Sequence, residues 1–144
     1  MYEVFLSIHS WLRWIILIVS IVVILKSLVG LFGGGDYKKL DNILAASFVG
    51  TMHLQLLIGL ILYIFLSPVT TSAFENMGEA MGNASVRYWA VEHITVMILA
   101  VVAAQVGRSI SKKSGDSVVK FRFQAIFFGI SLFLMLLRIP WDRI

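Results

Sequence analysis

The sequence predicts an all-α fold, an integral membrane four-helix bundle forming a single domain over residues 1–144. Three observations predict it. Hydrophobic residues make up 59% of the chain and charged ones 14%, with a mean hydropathy of +0.91, far from the balance of a soluble domain. Four apolar runs can supply the ~20 residues of helix that a hydrocarbon core of about 30 Å requires. The Lys and Arg residues flank these runs and do not interleave with aromatics on one polar face. The net charge of +4 therefore reads as a topology determinant, with no nucleic-acid partner implied.

The first span, about 4–29, contains Arg13 and has Lys26 near its far end. Residues 1–10 carry no basic residue and the apolar run beyond is too long for a signal h-region, so this helix is expected to remain in the mature protein. Gly33-Gly34-Gly35-Asp36 breaks the helix. With no strand before it, this triplet reads as a turn and not as a phosphate loop. Asp41 or Asn42 is placed to cap the second helix. That span, about 43–66, has no charge, and Ser67-Pro68 ends it.

A loop of about twenty residues comes next, in which Phe74, Met77 and Met81 recur at helical spacing. They suggest a short amphipathic helix at the membrane interface, its methionines packing and not binding copper. The third span, about 88–107, holds Glu92 and His93 near its start. The fourth, about 122–139, is bounded by Arg122 and Arg138 and is short for a bilayer unless both arginines snorkel outward.

The chain has no cysteine, which excludes disulfides, thiolate metal sites, covalent c-type haem attachment and Cys-ligated iron–sulfur clusters. No serine stands convincingly beside a base, so nucleophilic catalysis has no constellation. The histidines carry the remaining chemistry. His9, His53 and His93 all lie in or at the mouth of apolar runs, where an ionisable residue is costly and is a functional hypothesis by default. Measured from the ends of their spans, His9 and His93 are each ~7 Å deep and His53 ~20 Å.

A bis-histidine haem needs two imidazoles at similar depth, which favours His9 and His93 as axial ligands. A shifted or tilted second span would transfer the pair to His53 and His93. A zinc or copper site using all three histidines is disfavoured by the depth of His53. Small residues near these positions, Ala90, Ala100, Ala104 and Gly107 on the third span and Ala46 and Gly50 on the second, make room for a porphyrin or simply allow close helix packing. Arg13, one turn beyond His9, and Arg138 are candidate partners of the haem propionates. A competing reading pairs Arg13 with Glu92.

Four blocks resemble a family of short bacterial four-helix membrane proteins labelled cytochrome b: His9-Ser10-Trp11-Leu12-Arg13-Trp14, His53-Leu54-Gln55-Leu56-Leu57-Ile58-Gly59-Leu60-Ile61-Leu62-Tyr63, Arg87-Tyr88-Trp89-Ala90-Val91-Glu92-His93 and Ile139-Pro140-Trp141. The similarity spans nearly the whole chain. It implies motif roles for His9, His53 and His93 and supports haem binding, without deciding which two histidines bind. The expected protein is a b-type haem subunit of the bacterial inner membrane, more an electron-transfer subunit than a stand-alone enzyme. It would move single electrons between the quinone pool and a partner protein near the outer face. The alternative is a non-redox accessory or assembly subunit whose histidines and arginines make interhelical and intersubunit contacts.

Eight basic residues (Lys26, Lys38, Lys39, Arg108, Lys112, Lys113, Lys120 and Arg122) fall on one side of the bundle, against Arg87, Arg138 and Arg143 on the other. The positive-inside rule then puts both termini and the second loop outside. Reporters fused at 33–35 and at 114–115 are expected in the cytoplasm, and one fused within 70–84 outside. The opposite labelling would reverse the orientation.

Overall fold

The first apolar run folds as one 32-residue helix, α1 (Tyr2–Gly33), ~48 Å long at 1.5 Å per residue. It stops where Gly34 adopts φ +69°, a left-handed conformation that costs glycine nothing. The structure is a computed structural model and describes residues 1–143. The second helix, α2 (Lys39–Ile61), has Asp41 in its first turn, whose carboxylate accepts from the N–H of Lys38, the residue before the helix, at 2.8 Å and pairs with Lys26 Nζ of α1 at 2.9 Å. One buried carboxylate thus caps α2 and fastens it to α1. The helix then widens into a π-helical turn, Leu62–Leu66, which ends at Ser67.

Three short helices come next, α3 (Pro68–Glu75), α4 (Met77–Gly82) and α5 (Ala84–Arg87). Phe74 falls on α3 and Met77 and Met81 on α4, all three exposed, because Asn76 interrupts the expected single helix and caps α4 through the Glu79 N–H. A second π-helical turn, Tyr88–Glu92, runs into α6 (His93–Lys113). The last long helix, α7 (Ser117–Arg138), is capped by Asp116, whose Oδ1 accepts from the Val118 N–H at 2.8 Å. At its end the chain turns at Ile139-Pro140 into a single 3-10 turn, Trp141–Arg143.

Four segments are long and apolar enough to cross a membrane: Tyr2–Gly33, Lys39–Leu66, Ala84–Lys113 and Ser117–Arg138. The helices overrun the expected spans at most ends, because helix formation does not stop where the apolar run does. Arg122, taken as the edge of the fourth span, lies inside α7 with its guanidinium 5.4 Å from the ring centre of Phe123.

Around the bundle the long helices are arranged in the order α1, α2, α6, α7, with α7 closing against α1. Helices α1 and α6 are therefore diagonal, as are α2 and α7. Phe48 of α2 and Phe128 of α7, both fully buried, meet edge-on across the centre with ring centres 4.8 Å apart. The end of the bundle that carries the basic inter-span loops is held by polar contacts. Gln124 Nε2 donates to the hydroxyls of Tyr37 and Ser111, and its Oε1 accepts from Ser27, joining α1, α6 and α7.

Ala100, Ala104 and Gly107 are buried, and a Cβ on Gly107 would stand 2.5 Å from Phe127 Cβ. On α6 these small residues serve helix packing, not porphyrin space. Ala46 and Gly50 face outward, and nothing lies within 4 Å of a Cβ built on Gly50. Gly107→Ala is expected to cost about 1–3 kcal/mol of stability through overpacking. Gly50→Ala should be near neutral. Denaturant unfolding of both variants in the same detergent checks the contrast.

Candidate functional site

At the end of the bundle where the chain termini lie, the helices do not close. They leave a cavity of about 220 Å³ lined by all four long helices and by the C-terminal turn. Its shape depends on the two π turns, which lie at this end of α2 and α6. In each, a carbonyl accepts from the residue five positions on: Leu62 from Ser67 at 2.7 Å, and Tyr88 from His93. The extra residue rotates the rest of the segment by roughly 100° and leaves backbone groups to be satisfied from elsewhere. The Tyr63 hydroxyl donates to the Ala90 carbonyl, and Thr70 Oγ1 donates to the Tyr63 carbonyl at 2.6 Å. These bonds tie the two π turns and α3 together.

The rotation also separates Ala90 from the other small residues of its span. Ala90 packs with Ala73 of α3 and Ala80 of α4, while Ala100, Ala104 and Gly107 face α7 or the core. His93, just after the turn, lines the cavity. Its Nδ1 lies 2.8 Å from the Arg138 carbonyl, and because a carbonyl only accepts, Nδ1 carries the proton and donates. Nε2 is left with a free lone pair. The same carbonyl accepts from the Tyr88 hydroxyl, so the last carbonyl of α7 has two donors.

His9 reaches the cavity from α1, diagonally opposite α6. Its ring rests on Gly59, where a Cβ would come within 3.1 Å of His9 Cε1. Gln55 Nε2 donates to the His9 carbonyl at 2.8 Å. Three buried polar atoms on cavity residues have no partner among the described residues: His9 Nδ1, Arg13 Nε and Gln55 Oε1. Groups left unsatisfied in a low-dielectric site are costly.

His53 lies elsewhere. It is exposed on the outside of the bundle, where its Nε2 donates to Gln105 Oε1 at 2.8 Å and Gln105 Nε2 donates to Ser109 Oγ at 3.0 Å. No group of three His, Cys, Asp or Glu side chains able to hold a metal occurs among the described residues, so the three-histidine arrangement is not formed. Arg13 lines the cavity, but Arg13 and Glu92 form no ion pair; Lys26–Asp41 is the one salt bridge among the described residues. Arg138 does not line the cavity with its side chain. It contributes the carbonyl that orients His93, and its Nη1 donates to the Leu137 carbonyl. The second arginine at the cavity is Arg143, carried there by the turn after Pro140 and lying over the Trp89 ring at 5.1 Å. Sequence reasoning missed it because it lies beyond the last span, where a basic residue reads as a topology signal.

No protein-family model, curated protein or solved structure matches the chain.

Tyr63→Phe removes the donor to the Ala90 carbonyl and should loosen the second π turn. A loss of the size usual for interhelical bonds in membranes, ~0.6 kcal/mol, predicts roughly threefold faster amide exchange between Tyr88 and His93. Unchanged exchange there would mean that the hydroxyl does not hold the turn.

Proposed function

We propose that the cavity holds a b-type haem with His9 and His93 as axial ligands. On this reading the chain is an electron-transfer subunit of a bacterial inner membrane, with both termini on the outer side. It exchanges single electrons between the quinone pool and a partner protein at that side. The observation that carries the reading is the state of His93: Nδ1–H donates to a backbone carbonyl, which fixes the tautomer and leaves Nε2 free at the cavity. Metal-ligating histidines are oriented in this way. His9 approaches from the diagonal helix, as an opposed pair requires.

The donor set fits the group. The volume fits only after widening, since about 220 Å³ falls short of the roughly 300–1,000 Å³ of pockets that bury drug-sized ligands. Met52, Met97 and Met135 line the cavity, and their unbranched side chains repack more readily than branched ones. When bound, the haem iron supplies the one-electron couple. The chain's own residues orient the ligands, exclude water and insulate the site from lipid.

A non-redox accessory role is the second reading. The His53–Gln105–Ser109 chain favours it, because that histidine joins α2 to α6 with no ligand involved. The visible spectrum of the purified protein separates the two. A sharp reduced α band of low-spin haem is expected, lost in His9→Ala and in His93→Ala and retained in His53→Ala. Loss of one axial bond leaves five-coordinate, high-spin iron. A colourless preparation that takes up no added haem would overturn the haem reading.

A further inference from the structure

Among the described residues, the cavity carries positive charge with no acidic side chain in its lining. Arg13 and Arg143 both line it, no Asp or Glu does, and neither arginine forms an ion pair among the described residues. Arg13 Nε is buried without a partner among the described residues. An uncompensated guanidinium beside a low-dielectric cavity is expensive, and the cost is relieved by an anion. Each guanidinium also has an aromatic ring beside it, Arg13 over Trp14 at 5.4 Å and Arg143 over Trp89 at 5.1 Å. A neighbouring ring accepts no conventional N–H···O hydrogen bond, and the planar acceptor that matches two parallel N–H groups of a guanidinium is a carboxylate. The wall beyond the arginines is apolar, with Leu6, Ile16, Leu17, Leu56, Met97 and Ile139.

We infer that this cavity selects a ligand with an apolar body and a carboxylate head, and that Arg13 and Arg143 bind the head. This rests on the haem reading only for the choice of a porphyrin as the body. The anion is favoured by the buried, unpartnered Arg13 Nε, whether the carboxylate belongs to a porphyrin or to a long-chain fatty acid.

The test uses the full-length protein in phosphatidylcholine nanodiscs and ligands without iron, so that axial ligation plays no part. Protoporphyrin IX, its dimethyl ester and a fluorescent long-chain fatty acid are titrated by fluorescence. Loss of one charge-assisted hydrogen bond corresponds to about tenfold or more in affinity. The ester is expected to bind at least about tenfold more weakly than the free acid, and Arg13→Gln and Arg143→Gln should each cost the acid a similar factor. Arg143→Lys should recover part of the loss, since it keeps the charge without the fork. Arg143 is exposed, so its variants keep the test valid if Arg13→Gln fails to fold.

Equal affinity for acid and ester, or indifference to Arg143→Gln, would overturn the inference. So would failure of both the porphyrin and the fatty acid to bind. Arginine-dependent binding of the fatty acid alone would uphold the anion site while removing the haem reading. Arginine-dependent porphyrin binding with no low-spin spectrum on adding haem would uphold the anion site and remove only the axial pair.

Discussion

A chain crossing hydrocarbon must satisfy every backbone N–H and C=O from within, because no water is present to do so. The four long helices meet that requirement by regular geometry over most of their length. Where α2 and α6 depart from it in π turns, side chains take over: Tyr63 at the Ala90 carbonyl and Thr70 at the Tyr63 carbonyl. At the end of α7, His93 and Tyr88 serve the last carbonyl in the same manner. The candidate site is assembled from these repairs. His93 is both a donor to a helix end and a free imidazole nitrogen at the cavity, and the first role fixes the second.

The two ends of the bundle treat polarity in opposite ways. At the basic end, Asp41 is 3% exposed yet bonded to Lys38 N–H and paired with Lys26, and Gln124 uses both its amide atoms. Polar groups there close the fold. At the other end, His9, Arg13 and Gln55 each keep an unpartnered atom at the cavity. A bundle of 144 residues has few polar side chains inside it, and placing three unsatisfied ones around one space is a concentrated cost.

Much of the fold was legible in the sequence because apolar length and flanking charge report membrane helices directly. The turn at Gly34 was legible from its local sequence, and the part played by Asp41 only partly, since it serves the helix start from within the first turn and Lys38 is the residue that precedes the helix. The cavity was legible in part: depth is a one-dimensional property, and it grouped His9 with His93, which line one cavity from diagonal helices. Rotation about the helix axis is not one-dimensional. It is set by neighbouring helices and by the π turns, which have no periodic signature, so the outward facing of His53 and the separation of Ala90 from Ala100 could not be read. That Arg143 lines the cavity and Arg138 does not has a related reason. The backbone turn at Ile139-Pro140 decides which of them points back, and a count of charges at a span end carries no such direction.

The cavity draws its walls from the first helix and the last: residues between Tyr2 and Leu17 on one, and Met135, Ile139, Pro140 and Arg143 at the other and the turn after it. The carbonyl that orients His93 is likewise supplied by residue 138. During synthesis the first three spans can enter the bilayer before the last of these contributions exists. A nascent chain therefore has His9 and His93 on inserted helices before the wall contributed by α7 exists, and the cavity is complete only when the fourth span docks. Completion of the cavity is thus a late event in assembly, and a chain cut short before Met135 would insert without the residues of the fourth span that line it.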